Sequence, residues 1–153
     1  MTKENWQMKN DELIFAGKMC PYCNRPTQYV NSKIVYGKKS NYGMIYYCKP
    51  CKAWVGVHPG TDIALGRLAD SKLRKAKIAA HKAFDQIART NLINKVWPKY
   101  IPKLNNRRKA YMWLAKQMNM TDEECHIGRF NILECKRVIT ICNRVLTIIE
   151  DQS

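Results

Sequence analysis

The sequence predicts an α+β protein, with a three-stranded antiparallel sheet near the N-terminus packed on a C-terminal helical bundle. Three observations predict it. Two Cys-x2-Cys pairs bracket a stretch rich in β-formers, apolar residues recur at three- and four-residue steps after residue 61, and the two patterns do not overlap. At 153 residues, 46% hydrophobic and 25% charged, the chain has the composition of a globular protein and enough length for a core. It divides into an N-terminal extension (1–18), a cysteine-bracketed module (19–60) and a helical region (61–153).

Taken in order, Met1–Asn5 opens a mixed polar stretch without the apolar middle of a signal peptide, and no apolar run reaches the roughly 18–20 residues that span a bilayer. A cytoplasmic location is expected, with no membrane partner. In the second module, Thr27–Tyr36 reads as a first strand, Lys38–Gly43 as a turn, Met44–Tyr47 as a second strand and Ala53–His58 as a third. Tyr46 or Tyr47 and Trp54 are expected in its small core. The loop His58-Pro59-Gly60-Thr61 would join the module to the helices.

Gly66–Thr90 reads as one long helix, its apolar face carrying Ala69, Leu73, Ala76, Ala80, Phe84 and Ile87. The prolines after Trp97 and Ile101 make 91–106 a linker. The bundle over 107–150 starts with a helix at Arg107–Met118. A third helix begins at the capping box Thr121–Glu124 and stops at Gly128, and the last is opened by the same device at Asn131–Glu134. In that last helix Cys135 and Cys142 fall on the apolar face with Val138 and Val145, as small core residues.

Cys20-Pro21-Tyr22-Cys23 and Cys48-Lys49-Pro50-Cys51 stand 24 residues apart. A two-residue spacer lets a tight turn aim both sulfurs at one ion, so Cys20, Cys23, Cys48 and Cys51 are the expected ligands of one tetrahedral Zn2+, and the module reads as a zinc ribbon. Four sulfurs leave no open position, which makes the metal structural. A dithiol redox site would want one pair followed by a helix, not two pairs flanking a hairpin.

The net charge of +15 is distributed as zero over residues 1–18, +6 over 19–60, +10 over 61–109 and −1 over 110–153. Four thiolates and one Zn2+ contribute −2, leaving about +13. Such a field gathers polyanions, and nucleic acid (DNA or RNA) heads the expected partners, with an acidic protein second. The candidate phosphate contacts are Arg25, Lys33, Lys38, Lys39, Lys49 and Lys52 in the ribbon and Arg67, Lys72, Arg74, Lys75, Lys77 and Lys82 in the long helix. Ribbon tyrosines interleaved with these cations offer flat rings for unpaired bases.

No protease, P-loop, dinucleotide or Ser-His-Asp motif is present, so binding rather than catalysis is expected. His81 and Asp85 sit at i, i+4, and Cys125 adjoins His126, neighbours that point about 100° apart on a helix.

Several further segments give the chain a family likeness. They are Tyr42–Cys48, Val55–Thr61, Leu65–Ala69, Ala80–Asp85, Ala110–Ala115 and His126–Phe130, together with the two cysteine pairs. In these the chain resembles a zinc-finger-containing domain family of unknown function found in bacteria and bacteriophages. The resemblance implies the same four ligands and singles out His58, His81, Asp85 and His126 as a functional polar cluster. It also implies a phage or mobile-element setting, hence a bacterial host cytoplasm. Two alternatives to nucleic-acid binding follow: docking on a host transcription or defence complex, and a nuclease-like enzyme built on that polar cluster.

Overall fold

The structure is a computed structural model that describes residues 3–152, with side chains from Lys9 onward. Met1 and Thr2 of the expected N-terminal extension lie outside the described residues. The chain divides into two compact units, residues 1–74 and 75–153, with the boundary inside the third helix. Among the described residues no helix is long and apolar enough to cross a membrane.

The first unit opens with α1 (Lys3–Phe15), where the sequence suggested only an extension. The helix ends at Gly17, whose φ of +76° favours glycine. A Cβ there would stand 2.9 Å from the Ala64 Cβ and 3.0 Å from the Tyr46 ring, so α1 is brought against the sheet by the absence of a side chain. Thr27 fixes the same corner, its Oγ1 donating to the Gly17 carbonyl at 2.6 Å.

The sheet runs β1 (Gln28–Asn31), β2 (Met44–Cys48), β3 (Ala53–Gly56), antiparallel and in that order. Its register pairs Tyr29 with Tyr46, Tyr46 with Val55 and Cys48 with Ala53, so strand alternation puts these residues on one face. Tyr46, Cys48, Ala53 and Val55 there join Cys20 and Leu68 in a buried cluster. The opposite face carries Ile45, Tyr47, Trp54 and Gly56.

β1 is shorter than the composition of 27–36 suggests. Asn31 Oδ1 accepts from Lys33 N at 2.9 Å, and the chain turns into α2 (Lys33–Tyr36) with Val35 N and Tyr36 N bonded to the Ser32 carbonyl. A local side-chain turn thus overrides the β preference of Ile34 and Val35. β3 is also shorter than expected. After Gly56, His58–Thr61 turns, and His58 N, Leu65 N and Ala69 N bond Ile63, Gly56 and Trp54 carbonyls respectively. The returning segment therefore covers the outer edge of β3.

That edge pairing explains why α3 (Ser71–Ala88) starts five residues later than the apolar period indicates. Residues 65–69 are held as a strand-like return, and Asp70 Oδ1 then accepts from Leu73 N at 2.9 Å as the helix cap.

In the second unit, the expected linker contains a short helix, α4 (Leu92–Val96), with Ile93 fully buried. Lys109, itself buried, donates from Nζ to Asn94 Oδ1 at 2.8 Å, and Asn106 Nδ2 bonds the Thr90 carbonyl and Asn91 Oδ1, so the loop is tied at both ends. α4 and α6 (Ile132–Asp151) both pack against α5 (Asn106–Met118). The expected helix at 121–128 is replaced by one turn and a 3-10 segment, Ile127–Arg129. The reciprocal Thr121–Glu124 bonds do form, but His126 adopts an extended backbone that carries Ile127 and Phe130 into the core. At α6 the Asn131–Glu134 capping box is complete. Cys135 and Cys142 are core residues beside Val138, as the periodicity indicates.

Two outcomes follow for stability. Gly17→Ala forces both a left-handed alanine and an overlap with Tyr46, so the denaturant midpoint of the first unit should fall, by about 2 kcal/mol in stability. Burial pushes the Cys125 and Cys142 thiols up to about 12. Unfolded thiols ionise at their ordinary value of about 8.5, so the native state holds more protons between about pH 9 and 12. Stability is complete below that window and falls as pH rises through it. Cys142→Ala should make the fall shallower in alkaline denaturation.

Candidate metal centre

Each cysteine pair sits in a knuckle closed by a left-handed residue after its second cysteine. After Cys20-Pro21-Tyr22-Cys23, Asn24 takes a φ of +59° and its N–H reaches back to the Cys20 carbonyl at 2.8 Å. After Cys48-Lys49-Pro50-Cys51, Lys52 takes a φ of +50° and bonds the Lys49 carbonyl at 3.2 Å. The left-handed residue reverses the chain after the second sulfur, so both thiols of a pair point inward. The Met19–Pro26 bridge closes the first knuckle, and the β2–β3 connection is itself the second.

All four sulfurs lie within 4.8 Å of one another, with Cys23 and Cys48 Sγ at 3.7 Å. Four sulfurs at about 2.3 Å from one ion in a tetrahedron stand about 3.8 Å apart. The donor set and spacing fit one structural zinc ion held by Cys20, Cys23, Cys48 and Cys51, which fill all four positions. The thiols hold their protons unequally. The Arg25 N–H bonded to Cys23 pulls its pKa down, whereas burial and then the neighbouring sulfurs push Cys51 up to about 12. Burial raises Cys20 against the opposing N–H groups of Tyr22 and Cys23. A divalent ion displaces these protons, and loading must release them.

A family model described as a zinc-finger-containing domain matches residues 16–145. The chain belongs to that zinc-finger family. No curated protein and no solved structure gave a significant match.

In this zinc-finger protein the six ribbon cations expected to contact phosphate, Arg25, Lys33, Lys38, Lys39, Lys49 and Lys52, are all exposed. Of the six assigned to the long helix, Lys72, Lys75 and Lys82 are exposed, while Arg67, Arg74 and Lys77 are half-buried. Arg67 lies over the Phe15 ring at 4.8 Å, Arg74 over the Trp54 ring at 3.4 Å with a bond to the Ala69 carbonyl, and Lys77 Nζ donates to the Gly128 carbonyl at 2.7 Å. These three hold the fold. Charge counting cannot separate them from solvated cations, since the distinction lies in what each stem packs against.

The polar cluster is distributed over both units. His58 is exposed in the turn of the first, where its carbonyl accepts from Thr61 N and Oγ1. In the second, the His81–Asp85 pairing suggested by their spacing gives way to other partners. His81 Nδ1 lies 2.9 Å from the Lys77 carbonyl and donates to it, and Asp85 pairs with Arg89 at 3.3 Å. His126 is exposed, with its ring 5.8 Å from that of Tyr111, which in turn packs on Phe84 at 4.5 Å. Among the described residues the four cysteines form the one group of potential metal ligands, and His81, Asp85 and His126 do not form another. Cys125 is fully buried, and burial raises its pKa, which disfavours the thiolate form.

Purified protein should carry one zinc per chain, and loading the metal-free form in weak buffer should release protons. Cys48→Ala should abolish tight binding, whereas Cys135→Ala should leave the stoichiometry at one. Chelation should unfold the first unit, read by loss of sheet signal in circular dichroism.

Proposed function

We propose that this protein is a non-enzymatic nucleic-acid-binding protein of phage or mobile-element type, in which zinc holds the ribbon and the ribbon cations meet phosphates. The observation that carries the reading is the ribbon itself. Residues 19–60 contain no acidic side chain, and all six of their cations are exposed, none of them paired with a carboxylate among the described residues. A free cation in the metal-tied knuckles or in the α2 segment can neutralise a phosphate without first breaking an internal ion pair. The counterions thereby released from the polyanion drive binding.

The arrangement supports positioning on a backbone rather than base readout by a recognition helix. The residues after 110 are net acidic and serve as an apolar core. Lys72, Lys75 and Lys82 add exposed positive charge along α3.

Affinity for a nucleic acid strand should fall with salt at a log-log slope of about −0.7 per contacted phosphate on single strands, or about −0.9 on duplex. The double change Lys38→Glu and Lys39→Glu should weaken all sequences alike and make the slope shallower, with zinc content unchanged. No binding at low salt would overturn the reading. A bacterial protein retained in a pull-down after nuclease treatment would instead favour docking on an acidic host protein.

A further inference from the structure

On the face of the sheet opposite the zinc cluster Ile45 and Tyr47 are buried, and a local opening remains at Ile45 and Gly56. Tyr36 of α2, Tyr42 of the following loop, Ile45 of β2 and Gly56 of β3 line an open cavity of about 240 Å³ there. That is below the roughly 300–1,000 Å³ of sites for drug-sized ligands, and suits one flat ring. Its walls are aromatic and already oriented. Tyr36 and Tyr42 meet edge to face at 5.1 Å, and Tyr36 meets Trp54 at 5.9 Å and 90°. Trp54 Nε1 donates to the Tyr36 hydroxyl at 3.0 Å, while Arg74 occupies one face of the Trp54 ring.

The other ribbon tyrosines do not line this cavity. Tyr46 and Tyr47 are buried, Tyr29 packs on Tyr46 at 4.9 Å, and the Tyr22 hydroxyl accepts from Asp70 N. Tyr36 and Tyr42 remain 50% and 75% exposed, although both are large and apolar-bodied and share one cavity. Gly56 keeps the floor open. A Cβ there would meet only Leu65 Cδ1, at an ordinary 3.6 Å, so the missing side chain is not required by packing.

We propose that this cavity is a stacking site for one unpaired base of a single-stranded nucleic acid, with Tyr42 and Tyr36 as its aromatic walls and Gly56 as its floor. The inference rests on the nucleic-acid reading above and names the part of the strand that this face takes. Charge selects the occupant. Lys33 lies one turn before Tyr36, and Lys38 and Lys39 lie in the loop between Tyr36 and Tyr42. All three are exposed, so the segments that supply the aromatic walls also supply cations for the phosphates next to a captured base, and residues 19–60 hold no carboxylate to oppose them. Base–aromatic stacking is tolerant of sequence because every base has a π-face. The bond from Trp54 fixes the Tyr36 ring in advance, which lowers the ordering cost of binding.

The test compares a twelve-nucleotide thymidine strand with an abasic strand of the same length, which keeps the phosphates and lacks the bases, on the full zinc-loaded chain. Wild type should bind the thymidine strand about tenfold more tightly. Gly56→Val, which raises the floor of the cavity, and Tyr42→Ala, which removes an exposed wall, should each bring that ratio to about two or less. Both should leave affinity for the abasic strand within about twofold and zinc content at one, whereas Tyr42→Phe should keep the tenfold ratio. Equal binding of the two strands by wild type, or an unchanged ratio in both Gly56→Val and Tyr42→Ala, overturns the stacking site while salt-dependent phosphate binding stands. Failure of wild type to bind either strand at low salt overturns both readings together.

Discussion

Four sulfurs within 4.8 Å of one another set the constraint on which the first unit depends. Its buried cluster has six residues, two of them the ligands Cys20 and Cys48, which leaves Tyr46, Val55 and Leu68 as the large apolar contributors. At about 1.5–3 kcal/mol for each large side chain buried, these supply less than about 10 kcal/mol. A structural zinc site contributes about 10–16 kcal/mol in small peptides. The metal is therefore at least the equal of this apolar cluster. It also sets geometry, since joining the first knuckle to the end of β2 fixes the chain entering and leaving the sheet.

The opposite face of the sheet is covered in its turn, with Ile45 and Tyr47 buried. α2 and the loop after it place aromatic rings over Ile45 and Gly56, while the return after β3 covers the open edge and delivers Asp70 as the cap of α3. Cations near this module divide by role. Arg67 and Arg74 lie across Phe15 and Trp54 and help to hold α1 and the aromatic cluster, and the six ribbon cations face solvent. The second unit uses almost none of the positive charge in its core. Lys109 is buried there with Asn94 as its partner, and half-buried Lys77 donates to the Gly128 carbonyl.

Much of this was legible in the sequence where a residue type has few alternatives. Paired cysteines at a two-residue spacing point to one metal, and Asn131–Glu134 marks a helix start that the structure reproduces bond for bond. Less was legible where local preference competes with a distant partner. Ile34 and Val35 favour a strand, but Asn31 turns the chain into α2. Residues 65–69 have helical periodicity and are instead drawn to the edge of β3. Thr121 and Glu124 form a capping box, yet no helix propagates from it, because Ile127 and Phe130 reach the core only if His126 is extended. The helix at 3–15 and the role of Gly17 gave no clear signal, since α1 has little amphipathic pattern and the requirement for glycine comes from Tyr46 and Ala64.

By itself the sequence determined the four metal ligands, the α+β class and the confinement of the net positive charge to residues 19–109, because spacing, periodicity and charge are properties of the chain alone. Tertiary structure decided which cations are spent on packing, which tyrosines remain open and where the polar residues find partners. Those outcomes depend on what stands opposite each side chain. The pairing of Arg74 with Trp54 and of Asp85 with Arg89 exists only once the backbone has brought the groups together.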